Sequence, residues 1–147
     1  MYPIKGKRTR HYAFYDELDI KQLSEDRLME DVFEDALKNG EFQLWYQPKV
    51  DPVTGNILGA EALIRWKRPD GTMLSPGKFI PLFEKNGNIT TLDEYVFRTV
   101  CAQQQRWLQA GAKLYPISVN ISRVSLYYSN VVDKYREILN SFRLDPK

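Results

Sequence analysis

Residues 57–67 read ILGAEALIRWK, and the order of polar and apolar side chains in this stretch decides the fold. Its branched and aromatic residues favour a β-strand, in which successive side chains point to opposite faces. One face is apolar and the other carries charge. The apolar face holds Ala62, Ile64 and Trp66, and the charged face holds Glu61, Leu63 and Arg65. On a buried strand these charges cost free energy unless they meet a ligand, a metal ion or a partner charge.

The segments around this strand alternate between strand and helix patterns. In chain order they are FQLWYQPKV (42–50, strand), DPVTGN (51–56, turn), SPGKFIPLFEKNG (75–87, helix), LDEYVFRTVCAQQQRWLQAG (92–111, helix), YPISVNIS (115–122, strand) and VVDKYREILNSF (131–142, helix). We expect Pro48 to end the regular part of the first strand, and Ser75 with Pro76 to begin the first of these helices. The first two strands form an antiparallel hairpin, and the later alternation predicts a parallel α/β sheet.

A second strand is also polar on one face. In YPISVNIS, alternation places Ser118, Asn120 and Ser122 on the same side. A strand inside a parallel sheet is normally apolar on both faces, so two polar faces with oxygen atoms indicate a ligand site. Spacing alone leaves two simpler explanations open. Glu61 could pair with Arg65 or another base, and Asn120 could cap a loop.

The N-terminal part of the chain has a different character. Residues 17–41 are acidic, with apolar side chains at helical spacing, and they predict an amphipathic helix that begins near Ser24 and ends at Gly40. This helix would connect a short strand, HYAFY at residues 11–15, to the strand that begins at Phe42.

Composition limits the class of protein. The net charge of +2 does not indicate a nucleic acid polymer as a partner, and no apolar run approaches the roughly 20 residues that span a bilayer. The single cysteine, Cys101, excludes an internal disulfide and a thiolate zinc site, and we expect it to be a buried helix residue in a reducing, cytoplasmic protein. The three tryptophans are predicted to be core residues. They are Trp45, Trp66 and Trp107.

The amino-acid sequences of several motifs resemble those of a known family. EALIRW at residues 61–66 resembles the signature of the EAL domain family, the cyclic di-GMP phosphodiesterases. The similarity continues through WYQPKVDPVTGNILGAEALIRWKRPDG, LSPGKFIPLFEKNG, LDEYVFR and ISVNIS followed by RVSLY, in the family's order. It covers residues 42–147. The stretch KGKRTRHYAFYDE also resembles the last strand of a GGDEF domain, so we interpret residues 1–16 as such a tail and 17–41 as a linker helix.

The resemblance implies an α/β fold, the N-terminal portion of a modified (β/α)8 TIM-like barrel whose first strand is antiparallel. This portion would be incomplete, because a barrel of this type typically has about 250 residues. The family's further ligand motifs do not occur in the sequence. We therefore expect the 147-residue chain to be a fragment that is inactive by itself.

The resemblance also implies a reaction, the metal-dependent hydrolysis of cyclic di-GMP to linear pGpG with Mg²⁺ or Mn²⁺, normally as a pair. Glu61 would be a catalytic, metal-binding glutamate and Asn120 a second metal ligand, with both side chains facing a common mouth. Arg65 would hold a substrate phosphate, Leu63 would pack near the ligand, and Gln47 would reach a guanine or the phosphate region.

Two other functions stay open at this point. The domain could have lost catalysis and act as a cyclic di-GMP receptor, or the segment could be structural and EALIRW a coincidence. The expected partners are cyclic di-GMP and a second EAL domain in a homodimer, with no membrane contact from this segment. The expected location is the cytoplasm, or the cytoplasmic part of a membrane-anchored parent protein.

Overall fold

The computed structural model describes the backbone of residues 8–144 and the side chains of residues 17–144. The chain divides into two compact units, Met1–Asp35 and Ala36–Lys147. Most of the first unit is one long helix, α1 (Arg8–Lys38), whose last residues belong to the second unit.

Helix α1 is longer than the sequence predicted. The prediction of a short strand at residues 11–15 is wrong, because these residues lie within α1. Between Gly6 and Gly40 the sequence has no glycine or proline, so no helix-breaking residue stops the helix near the predicted start at Ser24. The predicted end is confirmed, since Gly40 adopts a φ of 70° just after the helix. The likeness to a GGDEF tail and the proposed domain borders remain predictions.

The second unit contains a sheet and four further helices. Its elements are β1 (Phe42–Val50), β2 (Ile57–Lys67), β3 (Met73–Leu74), α2 (Pro76–Asn86), α3 (Ile89–Gln109), β4 (Ile117–Val119), α4 (Arg123–Leu126) and α5 (Val131–Ser141). The predicted hairpin and the predicted helices α2, α3 and α5 are confirmed. The short strand β3 was not predicted, because two residues carry no readable periodicity.

Strand β2 is the centre of the sheet. It pairs antiparallel with β1 along one edge, and along its other edge it pairs with β4 in parallel and with β3 antiparallel. The register aligns Gln47 with Glu61 and Glu61 with Ser118. The four strands of the described region do not close into a barrel. The prediction of an α/β fold with an antiparallel first strand is confirmed.

The apolar face of the sheet packs against α2 through an aromatic cluster. The cluster consists of Phe42, Trp66, Phe79 and Phe83, all at most 2% exposed, with ring centroids 4.8–6.3 Å apart. The indole Nε1 of Trp66 donates to Glu41 Oε2 at 2.9 Å, so this buried polar atom is also satisfied. The prediction that Trp66 is a core residue is confirmed.

The prediction that Pro48 ends the regular part of β1 is wrong. The strand continues to Val50, and Pro48 lies opposite Ala60 in the register. In the described sheet β1 has a partner on one side only. Such an edge strand accepts a residue that lacks a backbone N–H, which explains why the proline is tolerated.

The loop before β4 approaches β2 very closely at Gly59. The carbonyl oxygen of Pro116 accepts a hydrogen bond from the backbone nitrogen of Ala60 at 3.0 Å. A Cβ added at Gly59 would lie 2.7 Å from the same Pro116 oxygen, closer than van der Waals contact allows. Gly59 therefore permits the docking of β4 on β2.

We expect Gly59→Ala to destabilise the fold by about 1–3 kcal/mol, the usual cost of forcing an extra methyl group into a packed site. The control is Gly77→Ala in α2, where an added Cβ meets no atom within 4 Å. This change should cause no loss of stability, because alanine favours a helix more than glycine does. Urea unfolding of both variants measures the difference, and equal stabilities would contradict the steric explanation.

Cys101 lies in a small apolar cluster that joins α3 to the C-terminal part of the chain. It is 3% exposed and packs with Ile138 and Leu144. Nearby, Gln105 Nε2 donates to the carbonyl oxygen of Phe142 at 2.9 Å. The prediction that the single cysteine is a buried helix residue is confirmed.

Burial raises the pKa of the Cys101 thiol from 9.0 to about 11, so this thiol should be unreactive in the folded protein. At pH 8 its thiolate fraction is about 100-fold below that of an unfolded chain, and we expect alkylation by iodoacetamide to slow at least that much. Mass spectrometry of samples with and without urea checks this. Equally fast alkylation of both samples would show that Cys101 is accessible.

Candidate functional site

The polar face of the sheet lies on the side away from the aromatic cluster. On β2 it carries Glu61, Leu63 and Arg65, all partly buried, as the alternation predicted. Across the strands, the register places Gln47 on one side of Glu61 and Ser118 on the other. Lys49 Nζ donates to Ser118 Oγ at 2.8 Å, so a cation also lies on this face.

Glu61 and Asn120 meet across β2 and the end of β4. Asn120 Nδ2 donates a hydrogen bond to Glu61 Oε1 at 3.0 Å, although the two residues are 59 positions apart in the sequence. The structure thus brings together the two predicted metal ligands. The alternative in which Glu61 pairs with Arg65 or another base is wrong. The Glu61 carboxylate accepts from Asn120, and Arg65 donates to the carbonyl oxygen of Ile64.

The chain leaves the sheet earlier than predicted. Strand β4 covers Ile117–Val119 rather than residues 115–122, so Asn120 follows the last paired residue. Ser122 is in an extended conformation, and its Oγ accepts from the backbone nitrogen of Val124 at 3.2 Å. Ser122 is therefore the N-cap of α4. It does not share the face of Ser118, and the cap role considered for Asn120 belongs to Ser122.

Arg65 lies at the far end of the polar face. Its Nη1 donates to the carbonyl oxygen of Ile64 at 2.8 Å, and its guanidinium lies 5.9 Å from the ring centroid of Trp45. Trp45 is 55% exposed, so the prediction that it is a core residue is wrong. The reason is the β1 alternation, which turns Trp45 to the polar face and Phe42 to the core. Trp107 is partly buried against Tyr46.

A cavity of about 260 Å³ opens beside β2, between the strand and helices α2 and α3. Leu63, Arg65 and Asn120 contribute to its lining. Three of the predicted site residues therefore share one cavity. Glu61 and Gln47 are not among its lining residues. Glu61 is connected to the cavity through its hydrogen bond with Asn120, and Gln47 lies on β1, opposite Glu61 in the register.

Two carboxylates near this cavity were not singled out from the sequence. Asp93 of α3 is 7% exposed, and its Oδ2 accepts from the Ser122 backbone nitrogen at 2.8 Å and from Ser125 Oγ at 2.6 Å. Glu84 of α2 accepts from Ser122 Oγ at 2.6 Å. Both carboxylates lie in amphipathic helices, where acidic residues are usually exposed, so periodicity gave no signal for the burial of Asp93 or for the contact of the exposed Glu84 with Ser122.

The oxygen atoms of Glu61 and Asn120 suit a hard divalent cation. Carboxylate and amide carbonyl oxygens are the ligand types that Mg²⁺ and Mn²⁺ prefer. In the described part of the chain, no three or more histidine, cysteine, aspartate or glutamate side chains come together as a metal-binding group. The residues present therefore fit part of a cation site.

The fold and this site define an α/β protein of the TIM-barrel-like class, with a carboxylate and an amide side by side on the polar face of an open sheet. The family model for the EAL domain matches residues 30–147. The chain belongs to the EAL domain family. The alternative in which EALIRW is a coincidence is therefore wrong.

Similar proteins are named for cyclic di-GMP chemistry. The bifunctional diguanylate cyclase/cyclic di-GMP phosphodiesterase MucR of Pseudomonas aeruginosa is 33% identical over 147 residues, which cover 99% of this chain and 21% of MucR. The probable cyclic di-GMP phosphodiesterase PdeB of Escherichia coli is 33% identical over 114 residues, which cover 78% of this chain and 22% of PdeB. The chain thus spans about a fifth of the length of these relatives.

Solved structures agree with this assignment. The MucR phosphodiesterase in complex with c-di-GMP matches with a TM-score of 0.74 and 35% identity, over 81% of this chain and 48% of that one. The FimX EAL domain of Xanthomonas citri in complex with c-di-GMP has a TM-score of 0.71 at 24% identity, covering 84% of this chain and 47% of that one, and supports the fold alone. Within residues 8–144, no helix is both long and apolar enough to cross a membrane.

Proposed function

We propose that this chain contributes the first part of the active site of a cyclic di-GMP phosphodiesterase, which hydrolyses cyclic di-GMP to linear pGpG. The observation that carries the proposal is the contact between Asn120 Nδ2 and Glu61 Oε1. The names of the relatives give the reaction class, because several of them are phosphodiesterases of cyclic di-GMP.

Glu61 and Asn120 would hold a Mg²⁺ or Mn²⁺ ion. When bound, such an ion lowers the pKa of a water molecule and offsets the negative charge on the phosphate. The Glu61 carboxylate accepts one hydrogen bond from the Asn120 amide, so further oxygen lone pairs stay available for a cation. A half-turn of the Asn120 amide would present its carbonyl oxygen in place of Nδ2.

Arg65 would bind a phosphate of the substrate. In the structure one of its five N–H donors is used, on the carbonyl oxygen of Ile64, and the remaining donors suit a bidentate contact with phosphate. Trp45 lies under the guanidinium and would limit its movement. Leu63 would pack near the ligand, and Gln47 would reach a guanine or the phosphate region.

The proposal also covers the metal content, the neighbouring domain, the oligomeric state, the location and the activity of the isolated chain. It includes a pair of metal ions in the complete domain, a GGDEF domain before residue 17, a homodimer of EAL domains, a cytoplasmic setting and the inactivity of the isolated 147-residue polypeptide. The support for the setting is the single buried thiol of Cys101, which typically persists in a reducing compartment.

A receptor that binds cyclic di-GMP without hydrolysing it is the second candidate function. The FimX EAL domains of Xanthomonas citri and Pseudomonas aeruginosa are structural neighbours that were solved with this nucleotide bound. The Glu61–Asn120 contact favours the enzyme, because a receptor needs no metal ligands for its binding energy.

The deciding experiment measures pGpG release from cyclic di-GMP by the full-length gene product in Mg²⁺ or Mn²⁺. We expect Glu61→Ala to lower turnover by about 100-fold or more, beyond the 10–100-fold loss that is typical when an outer partner of a metal ligand is removed. Binding of the nucleotide should persist. The control is Glu137→Ala, an exposed glutamate of α5, which should keep normal turnover. Binding without turnover in the unaltered protein would support the receptor instead.

For Arg65 we expect a loss of affinity for the nucleotide. Removal of a hydrogen bond to a charged group costs about 1.5–3 kcal/mol, so Arg65→Ala should raise the Kd for cyclic di-GMP about 10–100-fold. Arg106→Ala, an exposed arginine of α3, is the matched control and should leave the Kd unchanged. Isothermal titration calorimetry measures both variants, and equal affinities would remove Arg65 from the substrate site.

A further inference from the structure

Asn120 has little support from the sheet itself. Strand β4 pairs with β2 only through Ile117–Val119, and Asn120 is exposed just beyond the last paired residue. Its position next to Glu61 therefore depends on where the chain goes afterwards. The next fixed point is Ser122, two residues further on.

Ser122 is held by side chains from two different helices. Its backbone nitrogen donates to Asp93 Oδ2 of α3 at 2.8 Å, and its Oγ donates to Glu84 Oε1 of α2 at 2.6 Å. The same Asp93 oxygen accepts from Ser125 Oγ at 2.6 Å, so Asp93 holds both the N-cap residue and the single turn of α4. These bonds fix the direction in which the chain leaves β4.

The environment of Asp93 indicates a positional role. The residue is 7% exposed, and its carboxylate accepts hydrogen bonds from Ser122, the N-cap of α4, and from Ser125 within α4. Burial raises the pKa of the Asp93 carboxyl above its ordinary value, the hydrogen bonds from Ser125 and Ser122 oppose that rise, and the charge of Glu84 adds to it. A desolvated carboxylate that contacts α4 and its N-cap from another helix has a local structural purpose.

We propose that Asp93 is a positioning residue, which holds the segment after β4 so that the Asn120 side chain stays beside Glu61. The inference rests on the proposed function, since that function gives the Glu61–Asn120 pair its purpose. Asp93 itself lies outside the reacting groups. Its effect on the reaction passes through Ser122 and the backbone to Asn120.

The test measures the Asn120 position directly, without a metal ion. In the 147-residue chain, nuclear Overhauser contacts between the Asn120 side-chain amide and the Glu61 side chain report their proximity. We expect these contacts in the unaltered chain and in Asp93→Asn, whose carbonyl oxygen still accepts both hydrogen bonds. In Asp93→Ala they should be lost, while the contacts between β1 and β2 remain.

The matched control is Glu94→Gln, the next residue of α3. Glu94 pairs with Arg98 and Lys134 rather than with the segment after β4, so the variant should keep the Glu61–Asn120 contacts. If Asp93→Ala fails to fold, Ser125→Ala replaces it, because that change removes one of the two donors to Asp93. The Glu61–Asn120 contacts should then weaken at least twofold.

Two outcomes would overturn the proposal. One is a folded Asp93→Ala chain with unchanged Glu61–Asn120 contacts, and the other is a Ser125→Ala chain with contacts of full strength. A separate titration with Mn²⁺ tests the proposed function. If Mn²⁺ broadens no resonance of Glu61 or Asn120 in the full-length gene product, the metal site fails, and the metal-free contacts still decide the role of Asp93.

Discussion

The burial of Trp66 is the constraint on which the rest of the structure depends. A fully buried aromatic side chain removes about 150–250 Å² from water, worth about 4–6 kcal/mol. Trp66 is 0% exposed against the rings from β1 and α2, so it sets which face of β2 is inside. A slip of one residue would expose the indole and turn Glu61 and Arg65 into the apolar layer. The core thereby determines the polar face.

The candidate site depends on a long-range contact as well as on the register of β2, because Asn120 must lie next to Glu61. Glu61 is placed by the β2 register alone, whereas Asn120 arrives from a segment that pairs with only three residues of β2. The contact of Gly59 with Pro116 and the bonds of Asp93 to Ser122 both act on that segment, one before β4 and one after it. Packing on both sides of a short strand thus substitutes for a long ladder of backbone hydrogen bonds.

The parts of the fold that follow from local periodicity were predictable. The hairpin, helices α2, α3 and α5, and the two faces of β2 all read correctly from the order of polar and apolar residues. The site residues Glu61 and Asn120 came from the family resemblance, and the structure brings them together.

The errors share a different cause, which is competition between local preference and distant contacts. Ser122 alternates with Ser118 as a strand residue would, yet its hydroxyl caps α4 and its backbone nitrogen bonds to Asp93. Trp45 is as apolar as a core residue, but its register position turns it outward to Arg65. Residues 11–15 carry aromatic side chains that favour a strand, and they extend a helix that no glycine or proline interrupts. The local pattern of a sequence does not show which distant residues become neighbours in the fold.

Glu61 and Asp93 show how their environments give two carboxylates different roles, one in the candidate site and one beside it. Asp93 is nearly closed off from solvent and accepts two hydrogen bonds on one oxygen. Bonds to a charged group contribute about 1.5–3 kcal/mol each and offset the cost of its burial, so it is suited to hold structure. Glu61 is partly exposed and accepts one hydrogen bond, from an amide that can rotate by a half-turn. Glu61 has free lone pairs and can therefore bind a cation. Asp93 already accepts two hydrogen bonds, and its role is to keep Asn120, the second ligand of that cation, in place.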